Sequence, residues 1–387
     1  MTDLSIGVVG LGTRSGLALH AHHPEAGSAV VAVCDPVEAR RQRARETYGE
    51  QVVATADHRD LLDAGLDAVF VLTPDHVHAG MAIDFLAAGV AVYVEKPLAI
   101  SVDDCDAVLH AARETDSLLY VGHNMRHMPV VQEMRRLVLD GAIGTVKAIW
   151  CRHFVGHGGD FYFKDWHADR RYTNSLLLQK GAHDIDVIHW LAGGFATQVQ
   201  AMGTLAVYGD IDDRASRGDE LMHDWYDPEH NWPPRSLRGL HPVIDVEDLS
   251  QVNLRLDNGV LATYQQCHFT PDYWRNYTVI GDHGRMENFG DMDGAVIRVW
   301  NAGRHGYRAD ADLEVPVASG TAGHGGADAR IVAEFLDAVR HGTATITSPV
   351  AARQAVAAGC AATDSIRTGG RIVDVAPLPS ALAPMAR

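Results

Sequence analysis

The run Val8-Val9-Gly10-Leu11-Gly12-Thr13-Arg14-Ser15-Gly16 follows a short apolar stretch and opens a helical one. Glycines there allow a tight turn and let backbone amides approach a pyrophosphate. Gly10 and Gly12 meet that need; the third position is Ser15, with Gly16 beside it, so the pattern is imperfect. Thr13 and Arg14 complete the loop. Asp35 ends the next β-like run, 25 positions after Gly10. An acid there accepts both ribose hydroxyls and repels a 2′-phosphate. Together these features point to a dinucleotide, NAD in preference to NADP. Arg40 and Arg41 either soften that preference or sit on a helix surface.

Two more strand ends carry polar groups: Thr73-Pro74-Asp75-His76-Val77-His78 and Val94-Glu95-Lys96-Pro97. In open α/β sheets, ligands sit at the carboxyl ends of strands. His76 and His78 make a conceivable metal pair, but no third ligand lies close in sequence, and no metal is expected. The segment His153–Tyr172, HFVGHGGDFYFKDWHADRRY, is dense in aromatic, basic and polar groups. Trp166, His167, Arg170 and Tyr172 are candidates to contact a sugar, which offers one apolar face and many hydroxyls. The same segment also reads as an exposed loop or a subunit interface. His268–Arg275 carries a similar ambiguity.

Positioning these groups requires a layered scaffold. Over residues 1–122, β-branched runs (Ser5–Gly10, Val30–Cys34, Ala68–Leu72, Ala91–Val94, Leu118–Val121) alternate with helical patterns (Val37–Tyr48, His78–Ala88, Val102–Thr115). That alternation predicts a doubly wound parallel sheet, buried on both faces. Over residues 123–387 the pattern changes. A helix is expected at Pro129–Asp140, then strands at Val146–His153, Val199–Val207, Leu249–Leu256, Gly259–Phe269, Tyr277–Gly281 and Ala295–Trp300. These form a mostly antiparallel sheet in a second, α+β domain. Further helices are expected at Leu176–Leu191 and Ala329–His341. The polar stretch 209–242 reads as a long excursion of the kind that is often functional. Ser319–Ala327 reads as a glycine-rich linker.

The 387 residues are 47% hydrophobic and 21% charged, which excludes extensive disorder. Thirty-three basic against fifty acidic residues give a net charge of −17, which repels phosphate backbones and anionic lipid. No nucleic acid or membrane partner is expected. The five cysteines are scattered and form no CxxC pair, against a disulfide framework. The N-terminus lacks a basic region before a cleavable apolar stretch, and no apolar run reaches membrane-spanning length. A reducing cytoplasm fits these features.

The chain resembles the glucose–fructose oxidoreductase/inositol dehydrogenase (Gfo/Idh/MocA) family. The resemblance rests on the glycine turn, Asp35, Thr73–His78, Glu95-Lys96-Pro97, the run GHNMRHMP at 122–129, GAIG at 141–144, Gly181-Ala182-His183-Asp184-Ile185-Asp186, and a late helix over Ser348–Val373 with Gly369-Gly370 at its end. It implies a Rossmann domain plus a domain with a large open-faced antiparallel sheet. A sugar, glycoside or cyclitol would lie between that sheet and the nicotinamide. Lys96 matches the family's catalytic lysine and His183 its acid/base histidine, with Lys96–Pro97 a cis peptide. Asn124 joins the expected cofactor contacts, and Arg126 the expected substrate contacts. The resemblance also implies a homodimer or homotetramer joined through the sheet.

One position departs from the family. Four residues before the histidine, where many members carry aspartate, stands Gln179. Glutamine can bond a hydroxyl but holds no charge. Lys180 beside it either supplies another cation or points to solvent. Asp186, one turn after His183, would orient the imidazole or bind a hydroxyl. The leading expectation is an NAD-dependent dehydrogenase in which Lys96 and His183 assist proton transfer. The alternatives are an NAD-assisted glycosidase or lyase using transient oxidation at C3, and a non-enzymatic cofactor-bound regulator.

Overall fold

The computed structural model describes residues 3–318 and 323–386. Part of the expected linker, Ser319 to Ala322, lies outside the described residues. The first sheet contains β1 (Leu4–Val9), β2 (Ser28–Cys34), β3 (Val53–Thr55), β4 (Ala68–Val71), β5 (Ala91–Val94) and β6 (Leu119–Val121). Their order is β3-β2-β1-β4-β5-β6, all parallel. Strand order reverses between β1 and β4, the crevice where such sheets bind nucleotides. Both faces are covered by helices, which explains the nearly unbroken apolar runs of β4 and β5.

The second sheet contains β7 (Val146–Phe154), β8 (Ala196–Thr204), β9 (Leu249–Leu256), β10 (Leu261–Cys267), β11 (Trp274–Gly281), β12 (Arg285–Phe289), β13 (Val296–Trp300), β14 (Leu313–Pro316) and β15 (Val373–Asp374). Its order is β14-β13-β12-β11-β7-β10-β9-β8-β15. The β7/β10 pair is parallel, and the other neighbours run antiparallel. One face is buried beneath the helices Pro129–Leu139, Gly181–Ala192 and Pro349–Arg367. The opposite face exposes Trp150, Met202 and Leu261.

Two helices tie the halves together. The alanine-rich helix Pro349–Arg367 inserts Ala352 and Val356 into the core of the first sheet, while Ala355, Ala358 and Ala362 pack in that of the second. Small side chains allow that close two-sided approach: a Cβ at Gly359 would lie 3.1 Å from the Leu178 backbone. The helix Ala327–His341 returns to the first sheet, where Phe335 packs against Phe70, Tyr93 and Tyr120.

Several elements differ from expectation. The segment after the glycine turn is a 3-10 helix, Thr13–Ala21. The expected strand Val199–Val207 lies three residues earlier, at Ala196–Thr204. The N–H groups of Ala206, Val207 and Tyr208 donate to the Asp248 carboxylate and leave the ladder. The expected helix Leu176–Leu191 is two pieces, Leu176–Gln179 and Gly181–Ala192, joined at Lys180. The late helix stops at Arg367, because Gly369 and Gly370 take positive φ. Four strands carried no expectation: β3, β12, β14 and β15.

Candidate functional site

The nucleotide end is built on close backbone packing. Gly10 has φ +91°, and a Cβ there would meet the Leu72 backbone at 2.7 Å, so β1 can pass β4 only with glycine. Gly12 differs: its missing Cβ meets nothing nearer than a Leu221 methyl at 3.9 Å. Its bareness therefore leaves room for a ligand above the loop. Asp35, at the end of β2, is almost wholly buried and accepts from the Leu11 and Val37 N–H groups at 2.9 Å each. Arg40 lies 3.6 Å from the same carboxylate. Arg14 bonds Glu95 at 2.7 Å and Asp328 at 2.9 Å, pinning the loop to the end of β5.

A cavity of about 890 Å³ runs from this loop to the second domain. Gly10, Gly12, Thr13, Arg14, Asp35, Thr73, Pro74, His78, Glu95 and Asn124 line its nucleotide end. Lys96, Trp166, His167, Gln179, Lys180 and His183 line the other. Such a size suits a dinucleotide with a small second ligand. Among the described residues, five buried polar atoms of wall side chains have no partner: Thr73 Oγ1, Asn124 Oδ1, Gln179 Oε1, His183 Nδ1 and Arg217 Nε. Buried groups of this kind are normally satisfied, so they mark where ligand atoms belong. With the space above Gly12, they fit a bound dinucleotide.

Lys96 leaves β5 through a cis bond to Pro97. Its Nζ donates to the Gln179 carbonyl at 3.2 Å. Burial lowers the ammonium's pKa from its usual range, against the opposing charges of Glu95 and Asp75. His183 lies on the first turn of Gly181–Ala192. Burial, then the charges of Lys96 and Lys180, hold its imidazole well below the ordinary value. It is therefore neutral near pH 7 and able to take a proton. His78 is held in the wall by its ring, whose two nitrogens each lie 2.8 Å from the carbonyls of Pro97 and Thr73. Among the described residues, no cluster of three His, Cys, Asp or Glu side chains could hold a metal ion.

Not every expected contact reaches the cavity. Asp186 forms a two-pronged ion pair with Arg126, at 2.7 and 2.6 Å, both side chains buried. It lies 3.3 Å from His123 and orients that ring, not His183. Arg170 turns outward to Asp245 at 2.8 Å. Tyr172 packs on His76, ring centroids 4.8 Å apart, and neither lines the cavity. Ser15 donates to the Gly12 carbonyl at 2.7 Å and stabilises the turn from within. Pro97 stands behind the wall. Trp166 and His167 do face the cavity, stacked at 3.7 Å, with His167 held by Asp165 at 2.6 Å.

The structure adds wall residues that the sequence reading did not select. Asp75 faces Lys96 from the β4 end, and burial raises its carboxyl pKa. Tyr162 and Lys164 come from the helix Gly158–Tyr162 and the turn after it. The excursion at 209–242 crosses to the nucleotide end, placing Ser216 to Met222 and Trp225 on the wall. Arg40 clasps it by donating to the Asp219 carbonyl at 2.7 Å. Its length and polarity were the only sequence signal.

The profile of the oxidoreductase family with an NAD-binding Rossmann fold (GFO_IDH_MocA) matches residues 4–123, and that of the GFO/IDH/MocA C-terminal domain matches residues 131–287. The chain belongs to the Gfo/Idh/MocA family. Inositol 2-dehydrogenase 1 of Saccharopolyspora erythraea is 34% identical over 168 residues, 43% of this chain and 47% of the relative. scyllo-Inositol 2-dehydrogenase (NAD(+)) of Bacillus subtilis is 27% identical over 196 residues, 48% of this chain and 54% of the relative. The chain thus spans about half the length of these relatives. Levoglucosan dehydrogenase in complex with NADH and L-sorbose superposes with TM-score 0.76 at 20% identity, covering 98% of this chain and all of that one. Aldose-aldose oxidoreductase from Caulobacter crescentus superposes with TM-score 0.72 at 21% identity, covering 96% and 99%. These likenesses establish the shared fold. No helix among the described residues is long and apolar enough to cross a membrane.

Proposed function

We propose that this Gfo/Idh/MocA protein is an NAD-dependent dehydrogenase acting on a secondary hydroxyl, or the matching ketone, of a sugar, glycoside or cyclitol. The observation that carries the proposal is one cavity with a nucleotide loop at one end and Lys96, Gln179 and His183 at the other. NAD, when bound, supplies the hydride acceptor. Gly12, Thr73 and Asn124 would hold it, with Asp35 at its ribose. Neutral His183 takes the hydroxyl proton. The Lys96 amine, in its charged form, donates to the reacting oxygen and stabilises the charge that develops there. Gln179 offers a neutral amide to a neighbouring hydroxyl. Trp166, stacked on His167, supplies an apolar face for a ring.

The test is a screen of sugars and cyclitols with NAD, following NADH absorbance. At least one should give steady NADH formation. Lys96→Ala and His183→Ala should each lower kcat by about 10²–10⁴-fold, the range for a positioned acid/base group, while NAD affinity holds. Near-normal turnover by His183→Ala would reject its role.

A second reading follows from Gln179, which removes the carboxylate many relatives use. The chain would then oxidise its substrate transiently at C3, remove the acidified neighbouring proton as the leaving group departs, and return the hydride to C3, acting as a lyase or, where water adds to the eliminated intermediate, a glycosidase. Product release from a glycoside without net NADH would identify this case. A purely regulatory role is disfavoured, because both proton-handling side chains stand on the cavity wall. We also propose a homodimer or homotetramer joined through the open sheet face.

A further inference from the structure

Three lysines stand on the cavity wall. Lys96 donates to the Gln179 carbonyl, and Lys164 is paired with Asp160 at 2.6 Å. The Lys180 Nζ has neither a hydrogen-bond nor an ion-pair partner among the described residues; its neighbour is the Tyr162 ring, 5.9 Å away. The carboxylates whose charges act on it, Asp184 and Asp291, are both held by Arg275, at 3.1 and 3.4 Å. Asp165, also on the wall, is committed to His167. The adjacent position, Gln179, is a neutral amide whose Oε1 is unpartnered. A half-buried amine on a cavity wall with no counter-charge in ion-pair reach is a place for a ligand's anion.

We propose that Lys180 anchors the carboxylate of an acidic sugar, so that the substrate class is a hexuronate-like ring acid. This rests on the dehydrogenase reading above and narrows its substrate. A carboxylate beside Lys180 would meet the uncommitted amine, while Gln179 accepts and donates to ring hydroxyls without repelling it. An aspartate at 179 would face the same carboxylate as a like charge. A single uncommitted amine matches a monoanion, because the other two wall lysines are already engaged. Burial and the charges of Arg275 and Lys96 depress the Lys180 ammonium, and an incoming carboxylate opposes that effect.

The test uses the full chain loaded with NAD. Calorimetric titration compares D-glucuronate, D-galacturonate and D-mannuronate, each with its own primary amide, which has the same shape without the charge. At least one acid should bind about 10–100-fold more tightly than its amide, the value of a hydrogen bond to a charged group. Lys180→Gln should abolish that preference and Lys180→Arg should keep part of it, with NAD affinity measured on each variant to verify the fold. Equal binding of acid and amide, no binding by any acid, or a preference that survives Lys180→Gln overturns the proposal. NADH production is read in parallel. Lys180-dependent acid binding without any NADH sinks the dehydrogenase reading alone. NADH from neutral sugars with no acid preference sinks this inference alone.

Discussion

At the scale of single residues, the site depends on which groups are kept neutral. His183 is depressed by burial and by two neighbouring amines, Lys96 and Lys180. Its base form therefore persists below pH 6.5, and the acid limb of kcat/KM should lie below the ordinary histidine value. Lys180→Gln removes one positive neighbour, so the imidazole should protonate more easily and the acid limb should move to higher pH. A limb that stays in place would show that Lys180 and His183 do not interact. The types and spacing of Lys96, His183 and Gln179 were legible in the sequence. What was illegible was partnership. Asp186 shares a helical face with His183, yet its carboxylate turns to Arg126, brought in from 60 positions away. Arg170, in the aromatic stretch, turns to Asp245 for the same reason: each found a long-range counter-charge.

At the scale of elements, patterns buried on one or both faces were read well, and short or interrupted ones were not. Val102–Thr115 and Leu249–Leu256 have the expected ends. β14 and β15 have four and two residues, too few for any period to register. Just past the break at Lys180, Gly181 permits close packing: a Cβ there would stand 3.0 Å from the Tyr264 ring. The helix Gly181–Ala192 is itself anchored by buried charge. Asp186 pairs with Arg126, and Asp184 pairs with Arg275 and His153. Burial pushes these carboxyls up, but the guanidinium and imidazole partners win and hold both well below the ordinary 3.8. Their stabilisation is therefore complete above pH 4 and lost as pH falls further. The buried imidazoles act sooner. His153, pushed down to about 3, and His189, to about 4, resist protonation that the unfolded chain accepts at 6.5. Stability should thus decline from pH 6.5 downward and steepen below 4. Asp186→Asn leaves Arg126 buried and unpaired, which should cost about 3–5 kcal/mol at pH 7. Urea unfolding across this pH range measures both effects. A loss under 1 kcal/mol would show that the pair is dispensable.

Asp35 belongs to the same scale, because the β2-to-helix turn fixes it. Leu11 and Val37 N–H groups hold both of its oxygens at the sheet crevice. A 2′-phosphate would bring negative charge against that carboxylate. NAD should bind more tightly than NADP in fluorescence titration, and Asp35→Ala should narrow the gap by weakening NAD. Tighter NADP binding would instead identify Arg40, 3.6 Å away, as a phosphate partner.

At the scale of the whole molecule, the plan of one parallel and one mostly antiparallel sheet was legible because the periodicity changes near residue 123. The return of the helix Ala327–His341 to the first sheet is a long-range contact that no local pattern encodes. The second sheet poses one remaining physical question. Its buried face carries three helices, but its other face exposes Trp150, Met202 and Leu261, 54%, 74% and 55% accessible. Trp150 lies centrally, between Thr263 of β10 and Thr278 of β11. Large apolar side chains exposed on one face mark an association surface. If two copies pair through this face, light scattering at micromolar concentration should give twice or four times 41.9 kDa. Trp150→Glu would place a charge in the centre of each half, and in a symmetric pair the two charges would meet. The variant should run as a monomer with unchanged NAD affinity, since no strand residue of the second sheet lines the cavity. A wild-type monomer, or a Trp150→Glu oligomer of undiminished size, would show that association does not use the centre of this face.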